Sequence, residues 1–222
     1  MEVKIHFNVK IQKRKYSFNI SREEFATIST KPSLHMFDRL KKENAYTDES
    51  GSEYNIEWCK KYRELCLKNF DINMKFFEGL DKDEFNFELT SFLHRHNRFK
   101  QIFDLNDVDD VYGYYIMVLD DYKQVYIGKA DDIKRRIRQH WSNTKPFDRT
   151  LFPMYNVEKS VFSIDFFRAL DTTRIYVWKK QLSDGLEAKL VKDFPPKFLC
   201  NRIGGDVITG IEALATMNIK DF

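Results

Sequence analysis

The sequence predicts an α/β (α+β) fold in which helices flank a small central sheet of about three strands, mixed or antiparallel. A β-hairpin and a mainly helical region precede this sheet. Three patterns support the prediction: apolar residues alternate near the N-terminus, amphipathic runs follow, and two strand patterns precede a basic helix pattern. With 42% hydrophobic residues and only 8 Gly and 5 Pro in 222 residues, the composition excludes a disordered chain.

The N-terminus alternates apolar and polar residues over 3–9 and again over 16–20, on either side of a basic linker at 10–15. Period-two alternation on both sides of a short polar stretch predicts a β-hairpin. Ser21 and Glu24 then have the spacing of a capping box, so a helix is expected to begin at this point.

Three further helices are predicted from apolar residues at helical spacing, over 32–43, 54–77 and 83–99. A polar loop at 48–52 separates the first two. The acidic, turn-rich stretch 104–110 is the candidate domain boundary.

We therefore predict an N-terminal hairpin and helical domain over 1–108 and a second domain over 109–222. Residues 1–110 carry 19 Lys and Arg against 20 Asp and Glu, whereas residues 111–222 carry 18 against 14. The first domain is therefore slightly negative and the second slightly positive, so only the second has the charge that favours contacts with nucleic acid.

The chain contains no apolar run of about 18 residues, and its N-terminus lacks the organisation of a signal peptide. A cytoplasmic protein without a membrane partner is expected. Cys59, Cys66 and Cys200 lack the spacing of a disulfide framework or a zinc site, so we interpret them as small buried hydrophobic residues.

The second half opens with a strand over 113–119, a turn over 120–123 and a second strand over 124–128, which together predict a hairpin. A basic helix follows over 131–141, with Asp131 or Asp132 as its cap. On this helix, Arg136 and His140 are four positions apart and therefore project from the same face.

Two tripeptides of this hairpin, Gly113-Tyr114-Tyr115 and Tyr126-Ile127-Gly128, are followed by Arg136 and His140 on the helix. In this order and spacing, the segment from about 112 to 206 resembles the GIY-YIG nuclease superfamily, with Tyr114 in place of the usual central Ile. The resemblance extends to a Glu on a later helix and an Asn beyond it, which are Glu187 and Asn201 here.

The resemblance implies a catalytic set made of Tyr115, Tyr126, Arg136, His140, Glu187 and Asn201. Glu187 would hold one Mg²⁺ (or Mn²⁺) per active site, largely water-coordinated, and Arg136 would neutralise the phosphate. Tyr115 is the leading candidate for the base and Tyr126 would orient water or phosphate, although the exchanged roles stay open.

The remaining implied roles are supporting ones. His140 would accept a tyrosine proton or hold its oxygen, and nearby cations are expected to lower the tyrosine pKa. Lys129, Arg135 and Arg149 would support the site or bind phosphate, and Asn201 would hold the Glu187 region or a backbone segment.

Each site residue also has a structural interpretation. The tyrosines could be ordinary strand residues, Arg136 and His140 a solvated helix face, Asp184 to Glu187 a capping box, and Asn201 part of a turn. Asp165 and Asp171 are interpreted as residues that flank two strands, over 161–164 and 174–178, rather than as a metal pair.

The sequence thus predicts a metal-dependent endonuclease that hydrolyses DNA phosphodiester bonds, with duplex DNA as the expected substrate and a homodimer as a possible assembly. By analogy, a restriction-type or a mobile-element or phage-defence enzyme is favoured. The resemblance implies a small catalytic module that cannot hold a long duplex alone, so the N-terminal domain is expected to supply specificity, dimerisation or a protein contact. The alternative is a catalytically weak nucleic-acid-binding or regulatory protein that retains the fold.

Overall fold

The computed structural model describes residues 2–12, 18–27, 46–47, 53–142, 145–152, 156–205, 215–218 and 220. The predicted helix over 32–43 and the predicted loop over 48–52 lie outside the described residues. The helices are α1 Arg22–Phe25, α2 Ile56–Gly79, α3 Lys82–Arg95, α4 Ile133–Ser142 and α5 Leu186–Lys192. The strands are β1 Val3–His6, β2 Val9–Gln12, β3 Tyr46–Thr47, β4 Glu53–Tyr54, β5 Lys100–Ile102, β6 Gly113–Leu119, β7 Gln124–Ala130 and β8 Arg174–Lys179.

The N-terminal hairpin is present, but its second strand was predicted in the wrong place. β1 pairs with β2, which begins at Val9, so the strand expected over 16–20 does not form the hairpin. The reversal occurs at Phe7 and Asn8, whose φ angles are 44° and 57°. Two successive left-handed residues make the tight turn that matches the twist of a hairpin, and Phe7 carries no turn signal in the sequence.

The central sheet is antiparallel and has four strands in the order β5-β8-β6-β7, one more than the approximate prediction. The additional strand, β5, is a three-residue edge strand without an alternating pattern. Neighbouring residues of β6 point to opposite faces of the sheet. Tyr115 lies in one hydrophobic cluster with residues of α2 and α4, and Tyr114 lies in the other with residues of α3 and α5.

The strand predicted over 161–164 is absent. Its apolar residues are buried, yet the chain there is irregular and leads into a 3-10 helix at Ile164–Phe166. Side chains replace the missing strand partner: Asn69 and Asn73 of α2 donate to the Ser160 carbonyl oxygen, and Arg202 donates to that of Val161. These hydrogen bonds satisfy the backbone without a sheet ladder.

One hydrophobic cluster spans the predicted boundary between the two domains. It unites Phe25 and Phe77 from the first part with Tyr115 and Phe162 from the second. All three cysteines are buried and form no disulfide, as predicted. Over the residues that the structure describes, no helix is both long enough and apolar enough to cross a membrane.

Candidate active site

Gly128 allows the two tyrosine rings to converge on one face of the β6–β7 pair. Tyr115 lies opposite Gly128 in the register, and Tyr126 lies opposite Met117 on the same face. A Cβ at Gly128 would come within 2.7 Å of the Tyr115 hydroxyl oxygen and of a Tyr126 ring carbon. With glycine there, the ring centroids approach to 6.0 Å.

Helix α4 places a histidine against this pair. The Asp132 side chain accepts a hydrogen bond from the backbone N–H of Arg135 (2.8 Å) and so identifies the cap that the sequence had left open. His140 is only 1% exposed, and its Nε2 lies 2.8 Å from the Tyr115 hydroxyl. The interpretation of His140 as part of a solvated helix face is therefore wrong, and Arg136, one turn earlier, is half-buried.

Asp165 is the residue of this cluster that the sequence analysis missed. Its Oδ1 lies 2.6 Å from His140 Nδ1, and its Oδ2 lies 2.7 Å from Lys145 Nζ. Asp165 does not flank a strand but lies in the 3-10 helix that packs against α4. No local pattern could have identified it, because the contact joins residues 25 positions apart.

Asp171 has a different role from Asp165. Its carboxylate accepts hydrogen bonds from the backbone N–H groups of Ile20 and Arg168 and from the Tyr122 hydroxyl. These contacts join the N-terminal part of the chain to the region before β8. Asp171 therefore has a structural role.

Helix α5 presents Glu187 in its first turn. The N-cap is Gly185, with no side-chain hydrogen bond, so the interpretation of Asp184 to Glu187 as a capping box is wrong. Glu187 is 8% exposed, and a Cβ at Gly205 would come within 2.5 Å of Glu187 Cγ. Gly205 thus forms a close wall that limits where the Glu187 side chain can lie.

Asn201 holds the strand that carries Tyr126. Its Oδ1 accepts from the backbone N–H of Ile127 (3.0 Å), and its Nδ2 donates to the Ile127 carbonyl oxygen (2.8 Å). Ile127 stands between Tyr126 and Gly128, so this pair of bonds fixes the backbone beneath the tyrosine pair. A side chain with this double contact does more than occupy a turn.

The three cations predicted to support the site differ in exposure. Lys129 follows Gly128 on β7 and is half-buried, whereas Arg135 is exposed and lies 3.4 Å from the Asp132 carboxylate. Arg149 is also exposed, and its carbonyl oxygen accepts from Arg202.

Burial dominates the protonation of the site. It raises the pKa of Tyr115 well above the usual value, the charge of Tyr126 acts in the same direction, and the charge and hydrogen bond of Arg136 only partly oppose them. The pKa of Tyr126 is raised in the same way, first by burial and then by Glu187. Arg136 lowers the pKa of both tyrosines, as expected of a nearby cation, but burial outweighs it and the net shift is upward. Both hydroxyls therefore keep their protons near neutral pH.

His140 and Asp165 are shifted in the opposite direction. Burial lowers the pKa of His140, although its bond to Asp165 opposes the shift. Burial alone would raise the pKa of Asp165, but the hydrogen bond from His140 and the charge of Lys145 hold it well below its usual range. Near neutral pH, the pair is a neutral imidazole beside a carboxylate.

Glu187 fits a single hard cation. Oxygen ligands suit Mg²⁺, which keeps several waters and needs only one or two carboxylates. Gly205 fixes the position of this carboxylate, which is close enough to raise the pKa of both tyrosines. Among the described residues, the one cluster of three acidic groups is Asp109, Asp110 and Asp132, which excludes Glu187 and is partly neutralised by Lys134.

The second half of the chain thus combines a helix-flanked antiparallel sheet with a buried Tyr–His pair and with an arginine and a carboxylate beside it. Residues 111–195 match the family model of the GIY-YIG catalytic domain, so the C-terminal half of the chain carries a GIY-YIG domain. Nucleic acids are the substrates of such domains. Asn201 lies beyond the matched residues. No curated protein and no solved structure matches the chain.

Proposed function

We propose that the protein is a metal-dependent endonuclease that hydrolyses phosphodiester bonds of DNA through Tyr115, Tyr126, Arg136, His140 and Glu187. The observation that carries the proposal is the 2.8 Å contact between the Tyr115 hydroxyl and buried His140. A buried imidazole directed at a tyrosine provides an acceptor for a proton, which a strand packed for stability alone does not need.

Charge on the phosphate is handled by two groups. Glu187 would hold one Mg²⁺ or Mn²⁺, which supplies Lewis-acid stabilisation of the phosphate and of the leaving oxygen. Arg136 is half-buried, so its guanidinium can contact both the Tyr115 hydroxyl and a phosphate at the surface.

Proton removal from the attacking water is assigned to Tyr115 together with His140. A tyrosine with a raised pKa is not a preformed base, so Tyr115 must release its own proton as it takes one from water. Its hydroxyl lies 2.8 Å from His140 Nε2, which would take this proton. Tyr126 is the more exposed of the two tyrosines, which suits it to orient water or phosphate, and substrate binding is expected to complete the contact with water.

Duplex DNA is the proposed substrate because basic residues accumulate around the site. From Lys123 to Arg149 there are 8 Lys and Arg against 3 Asp and Glu, and Arg135, Arg138 and Arg149 are exposed. Exposed cations contribute sequence-independent contacts to phosphates. Cutting both strands needs two active sites, so a homodimer in a restriction-type or mobile-element enzyme belongs to the same proposal.

The alternative, a nucleic-acid-binding or regulatory protein with little activity, is less well supported. A binding module has no need to bury His140 and Glu187 beside two tyrosines, because burying charged or polar groups costs free energy.

Cleavage of supercoiled plasmid by the purified protein tests the proposal. Incubation with Mg²⁺ or Mn²⁺ is expected to give nicked or linear DNA, and EDTA is expected to abolish it. Arg136→Ala and Glu187→Gln should each reduce the rate by about 100-fold or more, since each removes a group that stabilises charge in the transition state.

Lys60→Ala and Asp83→Asn are matched controls, because both positions are exposed and lie on other helices. They should cleave like the parent, and thermal unfolding should show all variants folded. Undiminished cleavage by Glu187→Gln, or DNA binding by the parent without cleavage in either metal, would refute the enzyme assignment.

A further inference from the structure

A line of four side chains leads from the buried tyrosine to the edge of the site. Tyr115 contacts His140 at 2.8 Å, His140 contacts Asp165 at 2.6 Å, and Asp165 contacts Lys145 at 2.7 Å. Along this line the side chains become more exposed, from 1% for His140 to 13% for Asp165 and 34% for Lys145. The first two groups belong to the proposed function, and the last two have no role in it.

We infer that Asp165 is a positioning residue that fixes the tautomer of His140, so that Nε2 is free to accept the proton of Tyr115. This inference rests on the proposed function and adds a residue to it. Asp165 touches neither substrate nor metal, and acts only through His140.

The donors and acceptors in the line assign each proton. Lys145 has only donors, and Asp165 is ionised, so the hydrogen between Asp165 and His140 belongs to His140 Nδ1. A neutral imidazole with Nδ1–H has a lone pair on Nε2. The Tyr115 hydroxyl must then be the donor in its contact with His140, which is the orientation that proton transfer requires.

The proton balance of the step follows from this orientation. The attacking water gives one proton to the Tyr115 oxygen as its own oxygen bonds to phosphorus, and the Tyr115 hydroxyl proton moves to His140 Nε2. The bond from phosphorus to the leaving oxygen breaks, and that oxygen takes a proton from solvent. The imidazolium faces the Asp165 carboxylate until it returns its proton to solvent, which restores the starting state.

The backbone and the lysine both keep Asp165 in place. Its backbone N–H donates to Ser163 Oγ (3.4 Å), and its carbonyl oxygen accepts from Arg168 (3.3 Å). Lys145 occupies the second carboxylate oxygen, so the first oxygen is the one presented to His140.

The Asp165→Asn variant tests the inference because Lys145 determines how the new amide is oriented. The lysine needs an acceptor, so the amide oxygen should face Lys145 and the NH₂ group should face His140 Nδ1. Nδ1 then becomes an acceptor and the proton moves to Nε2, where it blocks transfer from Tyr115. The single-turnover cleavage rate should fall by about 100-fold or more.

The double variant Asp165→Asn/Lys145→Met is the matched control. Without the lysine, the amide can present its oxygen to His140 Nδ1 and restore the original tautomer, so the rate should recover well above that of Asp165→Asn. A purely structural Asp165 predicts the reverse, namely further loss with the second substitution. Lys145→Met alone should cleave faster than Asp165→Asn, because the carboxylate still accepts from His140.

The tautomer can also be measured directly by ¹⁵N NMR of the ring nitrogens, without any cleavage. Among the five histidines, the signal of His140 is the one lost in His140→Gln. Nδ1–H in the parent and Nε2–H in Asp165→Asn are expected. Nε2–H in the parent, or equal cleavage by Asp165→Asn and the parent, would overturn the inference. A parent that cleaves nothing refutes the proposed function, while the NMR result still decides the tautomer.

Discussion

Two glycines lie against side chains of the proposed catalytic site and limit where those side chains can lie. Gly128 leaves space for Tyr115 and Tyr126, and Gly205 lies against Glu187, so a methyl group at either position would overlap a proposed catalytic side chain. Neither glycine has a positive φ angle, so close approach rather than backbone conformation is what requires glycine at these positions.

Gly205→Ala should disable the site by displacing Glu187. The new Cβ would lie 2.5 Å from Glu187 Cγ. Two non-bonded carbon atoms cannot approach this closely, so the carboxylate must move. We expect metal-dependent cleavage to fall by about 10-fold or more, because a small misplacement of a catalytic group is costly.

Gly204→Ala is the matched control, because its Cβ would meet Thr216 at 3.3 Å and not Glu187. Plasmid cleavage measured over a range of Mg²⁺ concentrations compares the two variants. Equal activity in both would show that the Gly205 contact does not position Glu187.

At the scale of elements, Tyr114 connects the sheet to the segment that leads into α5. Its hydroxyl accepts from the backbone N–H of Ser183 (2.9 Å) and lies 3.1 Å from the Ser183 carbonyl oxygen, to which it donates. This contact joins the segment that leads into α5 to β6, beside the packing of Leu182 and Leu186 against the same cluster. We therefore expect the tyrosine that replaces the usual isoleucine of the tripeptide to help position Glu187.

Tyr114→Phe should impair metal-dependent cleavage at low Mg²⁺ more than it reduces the stability of the fold. Loss of the hydroxyl removes the contacts to Ser183 and should destabilise the protein by about 1–2 kcal/mol. A looser start of α5 should raise the Mg²⁺ concentration for half-maximal cleavage, with a smaller effect at saturating metal.

Tyr112→Phe provides the comparison, because Tyr112 is 53% exposed and lies just before β6, two residues from Tyr114. Metal titrations of cleavage and urea denaturation measure both quantities. An unchanged half-saturating Mg²⁺ concentration in Tyr114→Phe would argue against a link between the hydroxyl and Glu187.

The elements that sequence predicted correctly are those whose pattern is local. β6, its turn, β7 and α4 follow one another over about 30 residues, and the alternation, turn and cap all lie within that stretch. Tyr115, Tyr126 and His140 belong to the same unit, which explains why their proximity could be predicted from sequence.

The features that sequence missed depend on contacts between distant residues. Asp165 acquires its partner from α4, and the buried chain near Val161 is satisfied by Asn69, Asn73 and Arg202 instead of a strand. β5 is too short and too exposed to show alternation. None of these contacts leaves a periodic signal near the residue itself.

At the scale of the whole molecule, Lys220 brings residues near the end of the sequence against the core. It is 3% exposed, its Nζ donates to Gln124 Oε1 (2.6 Å), and it lies over the rings of Phe76 and Phe77 at 5.2 and 5.3 Å. Burial lowers the pKa of this amine to about 7, with the charge of Cys200 opposing the shift. The folded protein thus contains an amine that is half-neutral near pH 7.

The stability of the protein should therefore depend on pH through Lys220. Between pH 7 and the unfolded pKa near 10.5, the unfolded chain binds a proton that the folded chain does not, so the free energy of unfolding rises with pH. The cost of burying Lys220 is fully present below pH 7 and disappears as the pH approaches 10.5. Lys220→Met should remove this dependence, which we expect to be about 1 kcal/mol per pH unit.

Urea denaturation of the parent and of Lys220→Met at pH 7, 8 and 9 measures the difference. Lys192→Met, at an exposed position, should follow the parent and so corrects for the other groups that titrate in this range. Parallel pH dependences in the parent and in Lys220→Met would contradict a neutral buried amine.

The aromatic contacts of Phe162 link the evolution of the two halves of the chain. Its ring meets those of Phe25 and Phe77, which lie 137 and 85 positions earlier in the chain, at centroid distances of 4.4 and 5.9 Å. A recombination that joined the GIY-YIG segment to an unrelated N-terminal half would leave Phe162 facing residues selected for another partner. The two halves are therefore expected to evolve as one unit. Substitutions on one side of this aromatic contact should be accompanied by compensating substitutions on the other.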